Sequence, residues 1–289
     1  MTEYSYRSTI KSDISDEPIN TYILRPAAGL LVRALARTAV TPNQVTIAAT
    51  LSGLLAASCY WQGLPAWTAA AGILVTAKDL LDSADGQLAR ARAMYSRAGR
   101  FLDSIGDFIV NLAVFTAIAV AMMRSGARPG AVLACVIAFL GISLRVSYHV
   151  FYQTSYLHLQ GSYDINRLSE RLTATDLQQG RWTLALQRIF LILYGWQDAF
   201  VARLDELSRG GAEKIDDQRW YGDPVAIRCS AFLGIGTELF LLTLFSLADQ
   251  LEGYLWMNIC GLNLWWGYCI WYRRVVVRQK SKRMGGVPG

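Results

Sequence analysis

Residues 82–107 read DSADGQLARARAMYSRAGRFLDSIGD, with carboxylates at Asp82, Asp85, Asp103 and Asp107, glycines at Gly86 and Gly99, and Arg90 between them. Acids three or four residues apart share one helix face, so Asp82 and Asp85 form one acidic edge and Asp103 and Asp107 another. Facing edges of this kind repel, and a divalent cation removes the repulsion. Neither histidine, His149 or His158, falls in the stretch. The oxygen-only donors therefore suit Mg²⁺ or Mn²⁺ rather than zinc, and the four aspartates are expected to hold two ions. Gly86 and Gly99 leave room for a bulky ligand to approach the backbone. Arg90 adds a fixed cation suited to phosphate oxygens, so the stretch describes a site for metal plus diphosphate.

Working outward, the acidic stretch lies between long apolar runs. The chain has 289 residues, of which 53% are apolar, too many for an ordinary soluble domain of this size. Stretches long enough to span a bilayer fall at 43–62, 65–83, 101–123, 129–152, 224–248 and 252–273, predicting an all-α integral membrane protein with six transmembrane helices. The first 40 residues are polar and mixed, without the pattern of a cleaved secretory signal. They are read as a cytoplasmic N-terminal segment (1–40) ahead of a membrane domain (41–289) that includes a cytoplasmic loop at 155–222.

Basic residues set the orientation. Of the 28 lysines and arginines, 23 lie on the side of the termini and the aspartate cluster and two, Arg124 and Arg128, on the other. The positive-inside rule then places the cluster in the cytoplasm. The formal charge of +6 comes from residues flanking the spans, where anionic lipid headgroups lie, and gives no reason to expect nucleic acid.

Two segments outside the spans are expected to be interfacial helices. In the first, Glu17 to Thr38, Pro26 is expected to start a helix with Leu30, Leu31, Ala34 and Leu35 opposite Arg33 and Arg37. The second, Arg181 to Leu207, is interrupted by Arg188, Gln197, Asp198 and Arg203. The stretches 155–180 and 208–222 read as polar loops. Trp265, Trp266, Tyr268, Trp271 and Tyr272 before Arg273 and Arg274 read as an aromatic belt. The five cysteines all lie in expected spans, with no C-x-x-C pair, as small packing residues. Arg145, within a span, is expected to pair with a carboxylate of the cluster or with Glu238, or else to anchor a phosphate or carboxylate of the acceptor. Lys78 and Asp79, one turn before Asp82, read as local partners at the helix end.

The string Asp82-x-x-Asp85-Gly86-x-x-Ala89-Arg90-x8-Gly99-x3-Asp103-x3-Asp107 resembles, at every fixed position, the signature of the CDP-alcohol phosphotransferase family. A second element, Thr41-Pro42-Asn43-Gln44-Val45-Thr46, sits where the family has one. On its own this element also reads as a helix start, with Thr41 as cap and Pro42 in the first turn. The resemblance covers roughly residues 20–150. It implies a metal-dependent transferase of phospholipid biosynthesis, which moves a phospho-alcohol group from a CDP-alcohol to an acceptor hydroxyl and releases CMP. It further implies metal ligation by Asp82, Asp85 and Asp103, and Asp107 as catalytic base, with metal coordination as a second role. Gly86, Ala89, Arg90, Gly99, Asn43 and Thr46 would surround the nucleotide. A homodimer in a bacterial inner membrane, in contact with membrane lipid, is expected on the same ground.

The donor is divided between two resemblances. Phe101-Leu102-Asp103-Ser104 is similar to members using CDP-diacylglycerol, the donor favoured here. Tyr22-Ile23-Leu24-Arg25-Pro26 is similar to choline and ethanolamine phosphotransferases, which use a soluble donor with diacylglycerol. A membrane carrier is the non-enzymatic alternative, since intramembrane charges also line ion pathways. A carrier has no need for the Gly86 and Gly99 spacing.

Overall fold

The computed structural model describes residues 14–94, 96–126, 130–161, 180–210 and 215–280. Helices account for the described elements, and no strand occurs among them. Helix α1 covers Arg25–Leu35, α2 Pro42–Gln62, α3 Pro65–Ala91, α4 Arg97–Arg124, α5 Gly130–Leu159 and α6 Arg181–Arg209. Short α7, Asp217–Tyr221, leads to α8, Pro224–Ala231, and α9, Ile235–Leu247. Two further helices, α10, Leu251–Trp256, and α11, Asn263–Tyr272, are joined by a π-helical turn at Met257–Leu262.

Among the described residues, three helical stretches are long and apolar enough to cross a membrane: Arg97–Arg124, Gly130–Leu159 and Pro224–Leu247. The other three expected spans are helical but more polar. Asn43, Gln44, Thr46, Thr50 and Ser52 dilute α2, and Lys78, Asp79, Asp82 and Asp85 put four charges on α3.

Helix α2 starts as the sequence suggested. Thr41 accepts from the Gln44 amide while the Gln44 side chain accepts from the Thr41 amide, a reciprocal cap that satisfies two free donors. It ends at Gly63 in the left-handed region, φ 68°, and Pro65 opens α3 two residues later, so the two helices turn back on each other. Small residues let α3 approach α9 and α2 approach α4 closely. A Cβ on Gly72 would lie 2.8 Å from the Ser246 Cβ, and one on Gly53 would collide with Val110. Close backbone approach matters here because lipid gives no hydrophobic drive for helix association. Polar groups join the same contacts: Tyr60 and Ser246 hydroxyls meet at 2.6 Å, and Thr76 donates to Thr243 at 3.0 Å.

Several expectations are corrected. Pro26 does not start its helix, because a π-helical turn at Asn20–Leu24 already precedes it. The wider turn accommodates a proline that has no amide to donate and crowds the carbonyl four residues back. Helix α1 buries Ala28 and Val32 against Ala84 and Leu88 of α3 and leaves Leu30 exposed, so the buried stripe is offset from the one expected. The span 224–248 is present as a crossing stretch, Pro224–Leu247, but its helix is interrupted by a turn at 232–234, between α8 and α9. Residues 208–222 are not simply a polar loop, for α7 buries Trp220 completely. The Trp220 indole and the Tyr152 hydroxyl each donate to Asp205 at 2.7 Å. Arg273 is buried over the Tyr152 ring and donates to the Trp220 carbonyl, so it does not reach for an interface as the aromatic-belt reading implied. The segment 162–179, part of the expected loop, lies outside the described residues.

Of the four residues that interrupt α6, Gln197 faces inward, while Arg188 and Arg203 are exposed. Gln187, Gln197 and Asp205 are buried, while Trp182, Ile189, Ile192, Trp196 and Phe200 are exposed. Arg145 is buried with Glu238 as its ion-pair partner. Its guanidinium also donates to the Asn258 carbonyl at 3.1 Å and to Asn263 Oδ1 at 2.5 Å. The pairing of Arg145 with Glu238 is thus the one of its expected roles that the geometry shows. All five cysteines are free thiols.

Glu17 ties the N-terminal segment to the start of α9. Its carboxylate accepts from the Gly236 amide at 2.8 Å and the Thr237 amide at 3.2 Å, two donors that no helical carbonyl can reach. Burial, with help from the nearby Asp79 carboxylate, pushes the Glu17 carboxyl up to about 8 against the pull of those amides.

Candidate metal and diphosphate site

The last three turns of α3 carry Asp82 and Asp85, and the first three turns of α4 carry Asp103 and Asp107. Ser96 begins α4 by accepting from the Gly99 amide at 2.9 Å. The two helices bring one carboxylate oxygen each from Asp82, Asp85 and Asp103 within 4.8 Å of one another. Asp103 Oδ1 is buried and has no hydrogen-bond partner. Three converging carboxylates, one with a bare buried oxygen, are unfavourable without a cation, and their hard oxygen donors fit Mg²⁺ or Mn²⁺.

The fourth aspartate stands apart from that group. Asp107 makes an ion pair with Lys78, whose ammonium also lies 3.8 Å from Asp82. Sequence reasoning placed Lys78 at the helix end as a local partner. Its four-residue spacing from Asp82 was the available signal, but its reach across to α4 was not legible.

Thr46 was expected beside a nucleotide. In the structure its hydroxyl donates to Asp85 Oδ2, so it aims a carboxylate of the three-acid group. Asn43 sits against α4: a Cβ on Gly99 would lie 2.8 Å from Asn43 Oδ1. A side chain at Gly99 would displace the Asn43 amide and the Ser96 hydroxyl, and the two family-like elements meet there. The Arg90 guanidinium lies over Gly86, 3.5 Å from where a Cβ would be. Ala89 is half-buried one residue before it.

Helix α6 braces the first turns of α4. Phe101 packs on Phe190 with ring centroids 5.2 Å apart, and the Tyr194 hydroxyl donates to the Ser104 carbonyl at 2.7 Å. Arg97 and Arg100 lie over the Phe101 ring, at 5.9 and 5.2 Å from its centroid.

Residues 39–204 match the family model described as CDP-alcohol phosphatidyltransferase, more than half of the chain. The chain belongs to that family, and with three apolar helices it is a membrane protein. Among curated relatives, it is 37% identical over 109 residues to a bifunctional IPC transferase and DIPP synthase of Thermococcus kodakarensis, a match covering 38% of this chain and 23% of that protein. It is 38% identical over 98 residues to a phosphatidylinositol phosphate synthase of Cutibacterium acnes, covering 34% and 44% respectively. An archaetidylinositol phosphate synthase of Pyrococcus horikoshii is 39% identical over 88 residues, covering 30% and 45%. The matched stretch is thus less than half the length of each of these relatives.

Proposed function

We propose that the protein transfers a phosphatidyl group from CDP-diacylglycerol to an acceptor hydroxyl with release of CMP, at a Mg²⁺ or Mn²⁺ site held by Asp82, Asp85 and Asp103. The observation that carries this is the convergence of those carboxylates around the bare Asp103 oxygen, beside the meeting of Asn43 with Gly99. The metal, when bound, supplies positive charge to the diphosphate as charge builds on the leaving CMP. Arg90 binds diphosphate oxygens, Gly86 and Gly99 leave space for the nucleotide, and Thr46 keeps Asp85 aimed. Asp107 takes the proton of the acceptor hydroxyl as its oxygen bonds to phosphorus and the bond from that phosphorus to the CMP oxygen breaks.

The names of the relatives bring an inositol phosphate to the front of the acceptors to be tested. Family membership supports the donor class. Six spans, a cytoplasmic active site in a bacterial inner membrane, and a homodimer surrounded by lipid complete the proposal. The basic-residue asymmetry supports the orientation. Purified protein given a matrix of CDP-alcohol donors and hydroxyl acceptors with Mg²⁺ or Mn²⁺, scored by CMP release and product mass, tests it. CMP release with CDP-diacylglycerol and an inositol phosphate is expected. Turnover only with a soluble CDP-alcohol and diacylglycerol would replace this donor assignment.

A further inference from the structure

Lys78 divides the acidic site into two unlike halves. Its side chain is 4% exposed, its ammonium pairs with Asp107 across from α3 to α4, and the same nitrogen lies 3.8 Å from Asp82. It therefore occupies the space between Asp82 and Asp107 that a second cation bridging the two acidic edges would need. On the other side, Asp82, Asp85 and Asp103 converge with one carboxylate oxygen bare. One half of the patch is already neutralised by the chain itself. The other is left for a ligand.

We infer that Lys78 serves as a built-in second cation, so that the site takes one divalent ion and Asp107 is held by an ammonium. The inference rests on the metal reading proposed above and departs from the two ions expected from the four aspartates. The ammonium takes Asp107 Oδ1, and a divalent ion brought to the same carboxylate would set two positive charges within a few ångströms of each other in a poorly solvated site. The lysine has no easy retreat either. Its stem is enclosed, and its other charged neighbour, Asp79, is itself buried and faces Glu17. A single positive charge on a fixed stem holds Asp107 in one place between turnovers without competing for it as an exchangeable ion would. Lys78 is on this account a positioning residue: it acts through Asp107 and not on the substrate.

Counting bound Mn²⁺ tests this without relying on activity. The full chain in detergent, stripped with chelator, is titrated with Mn²⁺ while free Mn²⁺ is read by electron paramagnetic resonance. One tight ion per chain is expected for the wild type and for Asp107→Asn, none for Asp103→Asn, and two for Lys78→Met, where Asp107 is released to bind. Two tight ions in the wild type, or one in a folded Lys78→Met, would overturn the inference. A purely structural lysine would leave the count unchanged. If Lys78→Met does not fold, the wild-type and Asp107→Asn counts still decide, since loss of the ion in Asp107→Asn makes Asp107 a ligand. No tight Mn²⁺ in the wild type would instead defeat the metal reading on which the inference stands.

Discussion

Replacing Arg145 with methionine removes the one cation facing Glu238 while keeping most of the side-chain volume. Glu238 is completely buried, and it would keep only the Asn258 amide, which donates to Oε2 at 2.9 Å. The Asn258 carbonyl and Asn263 Oδ1 would each lose a charged donor as well. Removing one partner of a buried pair costs ~3–5 kcal/mol, and the surviving Asn258 bond points to the lower half of that range. At that size the melting temperature should fall by about 5–7 °C for a chain of this length. Thermal unfolding in detergent, followed by tryptophan fluorescence, measures it. The double variant Arg145→Met, Glu238→Gln removes both charges and should recover most of the loss, because the cost comes chiefly from the unpaired carboxylate. Turnover per folded molecule should change little. A stable Arg145→Met whose defect is confined to the KM for the acceptor would refute this reasoning and return Arg145 to the substrate.

Asp103→Asn and Asp85→Asn should each abolish CMP release with little loss of melting temperature, and excess chelator should do the same to the wild type; full turnover in either case removes the metal from the reaction. Thr46→Val, which keeps the shape but not the hydrogen bond to Asp85, should weaken Mn²⁺ binding about 10–100-fold, the usual scale for a lost partner of a metal ligand, as titration would show. Asp107→Asn should bind nucleotide normally but lose on the order of a hundredfold in turnover, measured as kcat beside calorimetric affinity. Glu17 gives a pH dependence. Its carboxyl titrates near 4.5 when unfolded and near 8 when folded, so between those values the unfolded chain releases a proton that the folded one keeps. Its contribution to stability is therefore full below pH 4.5 and is lost as pH rises to 8. Melting temperatures from pH 5 to 8.5 should fall more steeply for the wild type than for Glu17→Gln, and parallel slopes would contradict the assignment.

What the sequence made legible follows from the range of the forces involved. The acidic edges, the Thr41 cap and the apolar runs are set by neighbours within one or two turns, and periodicity reports such local relations directly. The convergence of Asp82, Asp85 and Asp103 needed only two helices to face each other, which the repulsion between their edges and the implied cation already suggested. Lys78, Arg273 and Glu17 were misjudged or overlooked for the opposite reason. Each has its partner on an element far away in sequence: Asp107 on α4, the Trp220 carbonyl on α7, and the first amides of α9. A charge inside an apolar run announces that it must be neutralised, but the run does not say by what. The same holds for α6, where Gln197 looked like an interruption and instead belongs, with Gln187 and Asp205, to its inward face. That face is polar because Gln197 and Asp205 meet Ser147 and Tyr152 of α5. Asp107, the last acid of the four-acid pattern, is thus the one whose surroundings the pattern described least. Its neighbour was decided by how α3 meets α4 and not by its own spacing.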